Sequence, residues 1–149
     1  MGERIKDFIS FELVKSFWGL VVLKKDLRYN QDVSYTKGGN LMDKQMVDEL
    51  VAGFLKIIDE QLVSVILYGS VARGAASTES DVDVALLVKG ALTPDIEDAL
   101  SDFIVDMNLK YDKVFSVIDI DIDNYVKWKA VTPFYKNVTQ EGIVLWKVA

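Results

Sequence analysis

The residues best suited to chemistry stand in one stretch: Tyr68-Gly69-Ser70-Val71-Ala72-Arg73-Gly74, six further residues, then Asp81-Val82-Asp83. Side chains two apart on a strand point to the same face, so Asp81 and Asp83 project together. The residues that follow, Val84-Ala85-Leu86-Leu87-Val88, are those of a buried strand. Two carboxylates at the mouth of such a strand raise each other's pKa unless a cation lies between them. A hard divalent cation removes that repulsion. Gly69 lets the backbone approach a bulky anion, and Ser70 offers a hydroxyl and can cap a helical turn that follows. Backbone N–H groups at a strand-to-helix junction suit phosphate. Arg73, about one helical turn on, can reach phosphate oxygens or lock an acidic loop. Alone, a Gly-Ser pair is usually a turn, Asp-x-Asp a solvated strand start, and an arginine a surface ion-pair partner. In this order and spacing they describe a metal–triphosphate pocket.

The rest of the composition narrows the chemistry. There is no cysteine and no histidine, which excludes thiol nucleophiles, zinc–thiolate sites and imidazole bases. A metal must be held by oxygens, favouring magnesium, manganese or calcium. The net charge of −6 argues against a broad basic nucleic-acid footprint, though a local basic pocket for phosphates remains compatible with it. The most apolar run, Phe17 to Leu23, is interrupted by Gly19 and far shorter than the roughly 20 residues that span a bilayer. Lys24-Lys25-Asp26-Leu27 supplies no small-residue cleavage site after it. A cytoplasmic location without membrane attachment is the expectation.

The elements that must position these residues are legible from periodicity. Met46, Val47, Leu50, Phe54, Leu55 and Ile58 recur at helical spacing between Asp43 and Asp59. Leu62 to Leu67 and Val82 to Val88 read as buried strands on either side of a polar loop at Gly74 to Ser80. Pro94 suits the first turn of a helix to about Leu109, and Lys113 to Ile120 reads as a third strand. Helices are expected around Asn124 to Val131 and from Phe134 to Glu141, with Pro133 at the start and Gly142 past the end. The fold class is α/β (or α+β), a small mixed sheet flanked by helices. There is no internal repeat.

Gly69-Ser70, ten residues, then Asp81-Val82-Asp83 resembles the signature of the DNA polymerase beta-like nucleotidyltransferase superfamily. Tyr-Gly-Ser-x-Ala-Arg-Gly followed by Ser-Asp-x-Asp resembles more particularly its minimal nucleotidyltransferases, the MNT group. The resemblance covers roughly residues 42 to 149, including Pro133 to Val138 and Glu141 to Leu145. It implies a polymerase beta-like fold and nucleotide transfer from ATP, with magnesium, as two ions, for the cofactor. It implies that Gly69 and Ser70 hold the triphosphate, with Arg73 beside them, and that Asp81 and Asp83 bind metal. A third carboxylate from a neighbouring strand usually completes such sites. Asp112, Asp119 and Asp121 are candidates; Asp112 and Asp119 are about 20 Å apart along an extended strand and cannot both serve. Asp112 is favoured as metal ligand and catalytic base, although Lys113 departs from the usual apolar residue. The resemblance also implies a HEPN-type toxin partner whose tyrosine is the acceptor. The alternatives are a non-catalytic antitoxin acting by binding, and a small-molecule nucleotidyltransferase, which normally has a further substrate domain. Nucleotide preference and oligomeric state stay open.

Plainer readings hold elsewhere. Trp128, Phe134, Tyr135 and Trp146 read as core rather than as a base-stacking platform. Asp119, Asp121 and Asp123 lack the glycine and closing glutamate of a calcium loop and read as a solvated strand end. Residues 1–41 are an extension preceding the nucleotidyltransferase domain at 42–149. Lys37-Gly38-Gly39 can be encoded by a bacterial ribosome-binding sequence at natural spacing before Met42, so they are expected to be a translated upstream region. The alternative is a helix built on Ile5, Phe8, Phe11, Leu13, Phe17 and Leu20. Deleting residues 1–41 is therefore expected to leave melting temperature and activity in place. Lost solubility or cooperativity would show that they belong to the fold.

Overall fold

The computed structural model describes residues 42–77 and 79–148, so the expectation for residues 1–41 lies outside the described residues. Helix α1 (Lys44–Ile58) is opened by Asp43, whose carboxylate accepts the Met46 N–H. It buries Met46, Val47, Leu50, Val51, Phe54 and Ile58, the face set by its 3.6-residue period. A short 3-10 turn, Asp59–Gln61, leads into β1 (Leu62–Tyr68), then the single-turn α2 (Gly69–Ala72) and β2 (Val82–Val88). Helix α3 (Pro94–Tyr111) has Pro94 in its first turn and Thr93 as N-cap. Strand β3 (Phe115–Asp121), α4 (Ile122–Trp128), α5 (Pro133–Glu141) and β4 (Ile143–Lys147) follow in that order.

The strands form one mixed sheet in the order β3-β2-β1-β4. Strand β1 pairs antiparallel with β2 and β4, and β2 pairs parallel with β3. The central strands are mostly apolar, with Ser64 the interruption in β1 and Asp83 in β2, because both their faces are covered. Val65, Leu67, Val82, Val84, Leu86 and Val88 pack with α1 and α3 in the larger core. Ile66, Ala85, Leu87 and Ile120 pack with Tyr125 of α4 and Val138 of α5 in a smaller one. Three layers result. No helix among the described residues is long and apolar enough to cross a membrane.

The sequence reading missed β4 and misplaced several ends. Strand β3 starts at Phe115 rather than Lys113 because Asn108 closes the preceding helix. Its carbonyl accepts the Asp112 and Lys113 N–H groups, and its side-chain oxygen accepts that of Phe115. Helix α4 starts at Ile122 because the Asp121 carboxylate accepts the Asp123 N–H at 2.8 Å. The acidic run thus divides between a strand edge and a helix cap. Gly142 follows α5 as expected, but in extended conformation (φ −69°). What it provides is space, since a Cβ there would lie 2.2 Å from the Val138 carbonyl oxygen and 2.6 Å from Ile66 Cγ2.

Candidate active site

The two halves of the motif meet at one end of the β1–β2 hairpin. Tyr68, the last residue of β1, is the register partner of Asp83. The chain then turns through Gly69 at φ +74°, a conformation that only glycine adopts without strain. A Cβ on Gly69 would lie 2.2 Å from Asp83 Oδ2, 3.1 Å from its Cγ and 3.3 Å from its Cβ. The carboxylate is therefore seated directly against the glycine backbone. Ser70 lies inside α2 and does not cap it: Tyr68 holds the N-cap position, with no side-chain capping bond. The first N–H groups of such a turn have no partner within the helix.

Asp83 is half-buried and Asp81, one residue before the strand, is exposed. Burial raises the Asp83 pKa, the Asp81 charge raises it further, and Arg73 opposes both. Tyr68 is raised as well, by burial and then by Asp83, so its phenol stays protonated beside the carboxylate. Among the described residues no three histidine, cysteine, aspartate or glutamate side chains gather into a metal cluster. The donors at hand are a carboxylate pair. Magnesium is commonly held by one or two carboxylates together with substrate phosphates and water, so the pair fits that ion.

The other expected residues are placed as follows. Arg73 directly follows α2, its N–H bonded to the Gly69 and Val71 carbonyls. Its guanidinium donates from Nη1 to Glu141 Oε2 at 3.0 Å. Asp112 does not open β3. It is the exposed cap of α3, in the left-handed region at φ 49° and ψ 48°. Beside Asp83 on β3 stands Ser116, while Asp119 is the partner of Leu86. Neighbours in register share a face, so the alternation along β3 puts Asp119 on the face opposite Asp83. Phe134 packs edge-on against Tyr68 with centroids 5.5 Å apart, and Tyr135 against Tyr125 at 5.9 Å. Trp146 is buried in the larger core, as expected of core aromatics. Trp128 is not: it is exposed, with the Lys127 ammonium 5.0 Å from its ring centroid. Sequence reasoning gave no role to Tyr68 and none to Glu141. Tyr68 could have been noticed as the residue abutting Gly69; nothing in the sequence ties Glu141 to Arg73.

The family model described as polymerase beta, nucleotidyltransferase, matches residues 55–148. A Methanocaldococcus jannaschii protein with the provisional name protein adenylyltransferase is 30% identical over 108 residues, 70% of this chain and 98% of that protein. A second from the same organism, with the same provisional name, is 36% identical over 74 residues, 50% of this chain and 75% of that one. Among solved structures, a complex of tri-AMPylated Shewanella oneidensis HEPN toxin with MNT antitoxin aligns at 18% identity and TM-score 0.48, over 72% of this chain and 74% of that one.

Proposed function

The chain belongs to the polymerase beta nucleotidyltransferase family, and from that premise we propose that it transfers AMP from magnesium-bound ATP to a hydroxyl group of a protein. The observation that carries the reading is the Asp83 carboxylate seated against Gly69, which joins phosphate-binding backbone to metal-binding side chains. The names of the M. jannaschii relatives support a protein acceptor. The acceptor we favour is a tyrosine of a HEPN-type toxin, as the Tyr-Gly-Ser-x-Ala-Arg-Gly resemblance implies, with this chain as its antitoxin.

In this mechanism Gly69 and Ser70 hold the triphosphate, and Arg73 takes further phosphate oxygens. Asp81 and Asp83 would hold magnesium, which supplies charge neutralisation for the triphosphate and the departing pyrophosphate. The acceptor oxygen forms a bond to the α-phosphorus while the bond to the bridging α,β oxygen breaks in line, and pyrophosphate leaves. The acceptor proton passes to a carboxylate, the natural base where imidazole is absent. We assign that role to Asp112, and the metal to the Asp81 and Asp83 pair. The test is incubation with magnesium, ATP labelled on the α-phosphate, and the HEPN-type partner. Transfer of label supports the reading. Partner neutralisation without transfer would leave a binding-only antitoxin.

Asp112→Asn is expected to lower turnover about 10²- to 10⁴-fold while retaining nucleotide affinity, the loss of a general base. Asp119→Asn, altering the opposite sheet face, is expected to change it less than about twofold. Single-turnover rates with the two variants decide between them, and the reverse pattern moves the role to Asp119.

A further inference from the structure

Glu141 is the last residue of α5, where the negative end of the helix favours cations, and no basic residue occupies that turn. An acid here opposes the local electrostatic preference. What it meets is Arg73, 68 positions away in sequence. Both partners hang from the same strand. Arg73 follows the Gly69 turn that ends β1, and Ile143, two residues after Glu141, pairs with Leu67 of β1. The tight fit of Gly142 against Ile66 fixes the chain between them.

The side chains of the pair are 49% and 40% exposed, so their attraction is screened by water and adds little to stability. Among the described residues the contact is also single: one N–H of the fork is used, leaving guanidinium donors for phosphate oxygens. Arg73 is also tethered beside the carboxylate pair: its backbone N–H bonds at 3.1 Å to the carbonyl of Gly69, the residue against which the Asp83 carboxylate is seated. A free guanidinium there would be drawn to the carboxylate pair and compete with a metal ion.

We propose that Glu141 is a positioning residue that holds Arg73 clear of Asp81 and Asp83 and presents its remaining donors to the triphosphate. The proposal rests on the reading of this pocket as a magnesium–ATP site. Glu141→Gln releases the guanidinium. The expected result is a five- to twenty-fold weaker ATP affinity in magnesium, read by calorimetric titration, and a matching rise in the magnesium concentration needed for half-maximal binding. With AMP transfer as the second readout, KM for ATP rises in parallel while kcat stays within about twofold. In an Arg73→Ala background the same Glu141→Gln change is expected to alter none of these, because its effect passes through Arg73.

Additive losses in the double variant would overturn the proposal. So would unchanged affinity with a lowered melting temperature, since the pair would then be a structural tie. Failure of the underlying reading looks different: the unaltered protein would bind no ATP in magnesium. Equal magnesium midpoints in wild type and Glu141→Gln, with ATP binding intact, would overturn the proposal alone.

Discussion

Replacing Asp81 and Asp83 together with asparagine is expected to abolish nucleotidyl transfer, by at least about 10³-fold, while the protein stays folded. Both are proposed donors to the cation that neutralises the triphosphate, and phosphoryl transfer depends almost wholly on such charge stabilisation and positioning. The fold has little to lose. Asp83 is held above its ordinary pKa by burial and by the Asp81 charge. A carboxyl group raised in the folded state contributes stability that is present at low pH and lost as the pH rises through the folded pKa. In the metal-free protein the variant is therefore expected to melt at or above the wild-type temperature near neutrality. The difference should shrink as the pH falls below the carboxyl range, where both proteins are neutral at position 83. Labelled-ATP transfer and thermal melts over pH check both parts. A double variant that labels its acceptor as wild type does would refute the metal assignment.

Gly69→Ala is expected to damage stability and activity at once. The φ of +74° costs a side-chain-bearing residue about 1–2 kcal/mol. The new methyl would meet Asp83 Oδ2 at 2.2 Å, and because Cγ and Cβ of Asp83 lie at 3.1 and 3.3 Å, rotating the carboxylate alone does not clear it. Backbone on one side of the site must move. In a domain of about 100 residues that strain corresponds to a fall in melting temperature of roughly 4–16 °C. A displacement of about 1 Å between phosphate and metal groups lowers turnover about 10²-fold. Melting curves and transfer rates measure the two effects. Wild-type activity in Gly69→Ala would show that the close approach is not used.

The central elements and the motif were legible in sequence for a shared physical reason. Strands β1 and β2 are covered on both faces, so they are mostly apolar, and the polar residues at the motif end of the hairpin stand out. Asp112 was harder to read. Its place depends on whether α3 stops before or after Tyr111, which is decided by Asn108 hydrogen bonds that leave no periodic trace. Strand β4 is only five residues long and lies at a sheet edge, where alternation is weak. The Arg73–Glu141 contact joins residues brought together by topology alone. The family was legible throughout, because its signature is local.

That locality extends to how the chain acquires its shape. Tyr68 and Asp83 belong to one hairpin and are 15 positions apart, whereas Ser64 reaches Trp146 of β4 across 82. Closing the shorter loop loses less chain entropy, so the pocket's two walls are expected to come together before the edge strand docks. The same order governs native-state fluctuation. Opening of β4 strips an edge from the sheet without separating Gly69 from Asp83, and native-state hydrogen exchange should find Ile143–Lys147 opening at lower free energy than Val82–Val88. During synthesis, the residues proposed to meet ATP can be in place while β4 is still emerging from the ribosome.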